Sequence, residues 1–199
     1  PAADVPYQRH FYKEHVEPVL EKGNKLFVII SDALRFEAGE ELHRRILKED
    51  KFRSILGHQL SVLPSYTQLG MAALLPHEEL EIKPENAEVL ADGQRTQGLT
   101  ARAKVLSKGE FRATAIKANE FISMNAKEEG RDLSKNHDII YVYQNGIDST
   151  GDKTETEGET FQAVEREFDT ILKILKKVAA INGSNALITA DHGFLFQKQ

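Results

Sequence analysis

The run LFVIIS, Leu26 to Ser31, followed at once by Asp32, constrains the fold more than any other stretch of the chain. A strand with one wet face alternates apolar and polar residues. This run does not alternate; it is continuously apolar and rich in β-branched side chains, which suits a strand covered on both faces in a parallel sheet. HDIIYVYQN (137–145) and NALITA (185–190) read the same way, and SILGHQLSVL (54–63) reads as a further strand, kinked at Gly57. Helical patterns lie between them. RFEAGEELHRRILKED comes soon after Asp32, and QLGMAALL (68–75) is stopped by Pro76. The clearest helix has Phe161, Val164, Phe168, Ile171, Leu172, Leu175, Val178 and Ile181 recurring at three- and four-residue spacing, with Asn182-Gly183 to end it. Strands separated by helices imply an α/β fold of three layers, with a mostly parallel sheet and helices on both faces.

The remainder is less regular. Residues 8–22 predict a helix with Phe11, His15, Val19 and Leu20 near one stripe, bent at Pro18 and ended by Gly23-Asn24. This divides the chain into a helical lead-in, 1–24, and a main domain, 25–199. Pro76 to Lys104 is polar and mixed in pattern, a lid or a small excursion from the core. Glu120 to Glu129 reads as a short helix.

Composition narrows the chemistry. With 199 residues, 40% of them hydrophobic, there is material for one domain with a real core. The net charge of −5, without a basic stripe, gives no support for direct binding of a nucleic-acid backbone. There is no Cys, so disulfides and thiolate metal sites are excluded. Any metal must be held by carboxylates, imidazole or hydroxyls. No apolar run approaches the ~20 residues a bilayer span needs, and no signal peptide is visible, so the expectation is a soluble cytoplasmic protein that does not enter a membrane.

The residues just past each apolar run are more informative than the runs themselves. Asp32 stands after LFVIIS; Ser65 and Thr67 after the 54–63 stretch; Asp148 and Asp152 after IIYVYQN; Asp191 and His192 after ALIT. Open α/β sheets place ligand sites at the carboxyl ends of their strands, so hard ligands and a hydroxyl gather at one rim. Metal-assisted phosphoryl or sulfuryl transfer needs such a set: divalent ions clamp the attacking and leaving oxygens, and a hydroxyl beside an ion is activated as nucleophile. Thr67 stands at the start of a predicted helix, where free N–H groups favour an anion. Each residue also has a plainer reading. Asp32 and Thr67 suit helix N-caps, Asp148 and Asp152 suit turns, and Ser65 rivals Thr67 as nucleophile. Arg35 suits a surface position or a phosphate contact. Gly70 would let the Thr67 helix pack close to a strand.

In this order, ISDALR, TQLGMAALLP, IDSTGD and TADHGF resemble the alkaline phosphatase superfamily, and within it the PglZ domain of BREX phage-defence systems, from about Lys25 to the end of the chain. Thr67 to Leu75 is also similar to the nucleophile segment of sulfatases and nucleotide pyrophosphatases. The resemblance implies an alkaline phosphatase-like fold and a metal-dependent phosphohydrolase, phosphodiesterase more than phosphomonoesterase. Its metal would be zinc, with manganese or magnesium as alternatives, its substrate a phosphate ester, and its partners other proteins of the defence system. It implies Thr67 as nucleophile, Asp32, Thr67, Asp191 and His192 as ligands of one metal, and Asp148 as a ligand of a second. Asp152 stands where the superfamily often has His. A later His of the superfamily pattern has no counterpart before Gln199, which leads to the expectation that the chain is a C-terminally truncated piece of a longer protein. These departures keep open a second reading, a non-catalytic metal-binding or scaffolding module of a defence complex.

Overall fold

The computed structural model describes residues 5–145 and 157–193. Its centre is a parallel four-stranded sheet built from β1 (Leu26–Ser31), β5 (Ala113–Lys117), β6 (Ile139–Gln144) and β7 (Ala186–Thr189), in the order β5-β6-β1-β7. All six residues of β1 are buried, as a central strand covered on both faces requires. Its register with β6 runs from Leu26 opposite Ile139 to Ser31 opposite Gln144, and with β7 from Phe27 opposite Ala186 to Ile30 opposite Thr189.

The strand pleat sorts side chains between two helical layers. Phe27 and Ile29 of β1, with Ile140 and Val142 of β6, pack against α2 (Phe36–Leu47), α5 (Ala118–Ser123) and α7 (Glu157–Ala180). From α7 come Val164, Phe168, Ile171, Leu175, Val178 and, just beyond its end, Ile181, the residues its periodicity singles out. Leu172 packs at the edge of that cluster, and the side chain of Phe161 lies outside the described residues. Leu26, Val28 and Ile30, with Ile139 and Tyr141, face the other way. They meet the N-terminal segment, α3 (Thr67–Ala73) and α4 (Leu99–Leu106). The expected three layers are therefore present.

Three expectations change. Residues 8–20 are helical, but as a 3-10 turn (Gln8–His10), a π turn (Tyr12–Val16) and a short α1 (Glu17–Leu20). The wider π turn rotates the buried stripe, so Phe11, Tyr12, Val16 and Leu20 are buried while His15 is exposed. Residues 54–63 do not form a sheet strand. Their one bridge joins Leu60 to Tyr7, and Ile55 is 98% exposed. The third concerns detail: within the polar middle, read as a lid or small excursion, β2 (Leu80–Ile82), β3 (Val89–Ala91) and β4 (Gln94–Arg95) form a small antiparallel sheet apart from the central one, and α4 comes after it. Strand β5 and helix α6 (Glu129–Asn136) complete the described elements.

Candidate metal centre and nucleophile

Asp32 is the first residue after β1, and Asp191 and His192 lie just past β7, the neighbour of β1. Adjacent parallel strands end side by side, so the two turns meet. Ligand atoms of Asp32, Asp191 and His192 all lie within 4.8 Å of one another. His192 Nε2 is 3.5 Å from Asp32 Oδ1 and 3.4 Å from Asp191 Oδ2. Both separations match the edge of a tetrahedron with about 2.1 Å bonds to a central ion, roughly 3.4 Å.

The trio is held from outside. Ala33 turns back with φ +66°, a left-handed conformation that a non-glycine residue adopts at a cost, and its N–H donates to Asp191 Oδ1 at 3.1 Å. His192 Nδ1 lies 3.1 Å from the Gly193 carbonyl. A carbonyl only accepts, so Nδ1 carries the proton, and in the neutral ring the lone pair sits on Nε2, facing the carboxylates. Asp191 is 1% exposed and Asp32 6%. Burial pushes the Asp191 carboxyl above the usual Asp range, while His192, the Ala33 N–H and Asp32 pull it back. Asp191 Oδ2 is buried and accepts no hydrogen bond from the described residues. A buried carboxylate oxygen without a donor is costly unless a cation completes it. The donor set, its spacing and this oxygen together fit a divalent ion.

Thr67 joins the trio from the other side. Its Oγ1 is 2.9 Å from His192 Nε2. It does not arrive from a strand end; it is the first residue of α3, with Tyr66 at the cap position and no side-chain capping bond. The helix can come this close because of Gly70. A Cβ there would lie 2.2 Å from the backbone oxygen of Asp191 and 2.7 Å from its carbonyl carbon, so α3 rests directly on the Asp191 backbone. Asp32 caps no helix either, since α2 begins at Phe36 behind Arg35. Arg35 spends its guanidinium on Glu37, with bonds of 2.8 and 3.1 Å. Asp148 and Asp152 lie outside the described residues.

Two buried polar residues that support the rim are absent from the motifs. Gln8 donates from Nε2 to the carbonyls of Ala190 (2.9 Å) and Asp191 (2.6 Å), and its Oε1 accepts from Val62 N–H at 3.1 Å. The lead-in thereby fixes the backbone of the Asp191 turn. Nothing in the local sequence marks Gln8. Glu167 accepts from Ser31 Oγ (2.5 Å) and Gln144 Nε2 (3.1 Å), joining the ends of β1 and β6 from the opposite face. A signal for Glu167 exists: it stands between Val164 and Ile171 on the buried stripe of α7, where an acid is out of place unless it has partners.

Comparisons with known proteins give the family. Residues 11–199 match the family described as the BREX system PglZ alkaline phosphatase-like domain. The chain is 43% identical over 199 residues to the alkaline phosphatase-like protein BrxZ of Escherichia coli O9:H4 (strain HS), an alignment covering 98% of this chain and 23% of the relative. It is 38% identical over 199 residues to the alkaline phosphatase-like protein PglZ of Bacillus cereus (strain H3081.97), covering 100% of this chain and 23% of that relative. The chain thus spans about a quarter of the length of these curated relatives (23% of each). Among the described residues no helix is long and apolar enough to cross a membrane. With a family match over nearly all its length, and with the strand-end carboxylates, imidazole and hydroxyl assembled on an α/β sheet, the chain belongs to the PglZ family of alkaline phosphatase-like domains.

Proposed function

We propose that the chain carries the reactive centre of a metal-dependent phosphohydrolase, acting on phosphodiesters in preference to monoesters, within a BREX phage-defence system and alongside that system's other proteins. The observation that carries this reading is the 2.9 Å approach of Thr67 Oγ1 to His192 Nε2, at the point where the carboxylates of Asp32 and Asp191 also meet. Asp32, Asp191 and His192 would hold one divalent ion, zinc by the mixture of imidazole and carboxylate donors, with manganese or magnesium as alternatives. Such an ion supplies Lewis-acid stabilisation of phosphoryl oxygens and lowers the pKa of a neighbouring hydroxyl.

The chain's own groups do the rest. With Nε2 of His192 committed to the ion, the 2.9 Å approach of Thr67 Oγ1 to that nitrogen would set the hydroxyl beside the ion's position, and the contact of α3 with the Asp191 backbone fixes where Oγ1 sits. Attack by Oγ1 on phosphorus breaks the bond to one alcohol, which departs with the threonine proton, and leaves a phosphothreonine still esterified to the other; water then cleaves it, regenerating the hydroxyl and releasing a phosphomonoester. Asp148 and Asp152 are proposed as ligands of a second ion.

Hydrolysis of bis-p-nitrophenyl phosphate by the full-length protein tests this. Thr67→Ala is expected to abolish turnover while zinc uptake persists, and chelation of the metal is expected to abolish turnover in the wild type. Undiminished hydrolysis in Thr67→Ala would refute the nucleophile. Equal zinc uptake by wild type and Asp191→Ala, measured by calorimetry, would refute the metal site.

A further inference from the structure

Tyr143 and Arg102 stand beside this centre, and among the described residues neither the Tyr143 hydroxyl nor the terminal nitrogens of Arg102 donate to a carbonyl or carboxylate. Ile30 of β1 pairs with Tyr143 on one side and Thr189 on the other, so the three form one row across the sheet. Asp32 and Asp191 lie two residues beyond Ile30 and Thr189, just past the ends of β1 and β7, and a two-residue step along extended chain returns a side chain to the same face. Tyr143 therefore shares a face and an end of the sheet with the metal ligands. Tyr141, two residues earlier, shows what a structural tyrosine does here: it is fully buried and donates its hydroxyl to the Leu74 carbonyl at 2.7 Å. The Tyr143 hydroxyl is also buried, yet no acceptor for its proton reaches it among the described residues; its polar neighbour there is the Arg102 guanidinium, a donor too poorly aligned for an ordinary hydrogen bond. Burial raises its pKa, Arg102 works against that, and Asp191 is close enough for its charge to add to the rise.

Arg102 comes from the first half of α4. Its guanidinium carbon lies 4.9 Å from the centre of the Tyr143 ring, and its Nε donates to the Thr96 carbonyl at 3.0 Å. Arg35, Arg44, Arg45, Arg95 and Arg112 each lie within 4.0 Å of a carboxylate. Among the described residues no carboxylate pairs with Arg102. A part-buried cation held against an aromatic ring, with its two terminal nitrogens uncommitted to any acid, suits a passing oxyanion. A Phe at 143 would serve the core at least as well as a buried phenol whose proton finds no acceptor among the described residues.

We propose that Tyr143 and Arg102 form the anion-receiving side of the centre, their O–H and N–H donors binding a non-bridging oxygen of a phosphate group held at Thr67. This rests on the reading that phosphate esters bind there, and it adds the residues that recognise them. The probe is inorganic phosphate, titrated calorimetrically into the zinc-loaded full-length protein, with melting temperatures recorded in its absence.

Tyr143→Phe is expected to weaken phosphate binding by about tenfold, and Arg102→Met by roughly tenfold to a hundredfold, as for loss of hydrogen bonds to a charged group. Zinc uptake should be unchanged in both. Tyr143→Phe should melt no lower than wild type, because among the described residues the hydroxyl it removes donates to no group of the fold and the Arg102 guanidinium keeps its place over the ring. If both variants bind phosphate like wild type, or if Tyr143→Phe melts lower with its phosphate affinity intact, the proposal fails. A wild type that takes up zinc but no phosphate also overturns it. If the wild type binds phosphate, the variants lose it, and no ester is hydrolysed, this proposal stands and the phosphohydrolase reading falls. Ester hydrolysis with unaltered phosphate binding in both variants sinks this proposal alone.

Discussion

Asp191 and Glu167 are each 1% exposed, and they serve opposite faces of the same sheet. Consecutive residues at the end of β1 point to them: Asp32 towards Asp191, and Ser31 towards Glu167. Glu167 has a donor on each oxygen, Ser31 on Oε1 and Gln144 on Oε2. Among the described residues Asp191 has the Ala33 N–H on Oδ1 and no donor on Oδ2, and burial has raised its pKa. One acid is satisfied by the fold and ties two strands together. The other is left with a demand that the protein alone does not meet. Burial by itself separates nothing here; the accounting of donors does.

That contrast can be broken most forcefully at Glu167. Glu167→Ala strands the Ser31 hydroxyl and the Gln144 amide in a closed core and opens a cavity. A loss of about 2–4 kcal/mol in unfolding free energy is expected, measured by urea denaturation, with zinc affinity largely retained in the molecules that stay folded. Gly70→Ala comes next. Its methyl group would meet the Asp191 backbone, so α3 must shift; overpacking of this kind costs about 1–3 kcal/mol, and zinc uptake should fall with it because Asp191 and Thr67 part. An unchanged melting temperature together with unchanged zinc binding would show that the close approach does not position the site.

Asp191→Asn sharpens the contrast from the other side. It retains an oxygen for the Ala33 N–H but removes a buried charge, so metal-free stability should stay within about 1 kcal/mol of wild type, or rise, while zinc uptake is lost. A large destabilisation would place Asp191 with Glu167 as an acid the fold needs. The smallest effect is expected from a partly exposed acid that belongs to neither class. Asp138 is bonded by the Arg112 side chain, which holds its carboxyl below the usual Asp range. Its contribution is present above the pKa of the unfolded chain and is lost as pH falls through the lower folded value. Asp138→Asn should therefore lower the melting temperature slightly at neutral pH, and the difference should close in strong acid.

Much of this arrangement is legible in the residues. LFVIIS, IIYVYQ and ALIT became parallel neighbours because continuous apolar runs leave few other places to bury them. The stripe of α7 and the small residues of α3 behaved likewise. Residues 54–63 have a strand's composition but none of its partners: Leu60 pairs once with Tyr7, Leu63 is 84% exposed, and the stretch stays irregular. Strand propensity describes a fit to neighbours, which a local pattern does not supply. Strand β5 lacks a strand's pattern for the converse reason. Ala113–Lys117 is mixed in character, with Ile116 alone buried, and it is a strand because β6 offers it an edge.

The order of the motifs, the type of each ligand, and the sorting of side chains to two faces were determined by the sequence, because strand period and chemical type are properties of neighbouring residues. Tertiary structure alone decided that the hydroxyl of Thr67 meets His192, that the backbone Gly70 lies against is that of Asp191, and that Gln8 and Glu167 brace the rim. The hydrogen bonds among these join residues 125, 136 and 183 positions apart. Whether a buried polar group is satisfied depends on which distant donors the packed chain brings to it.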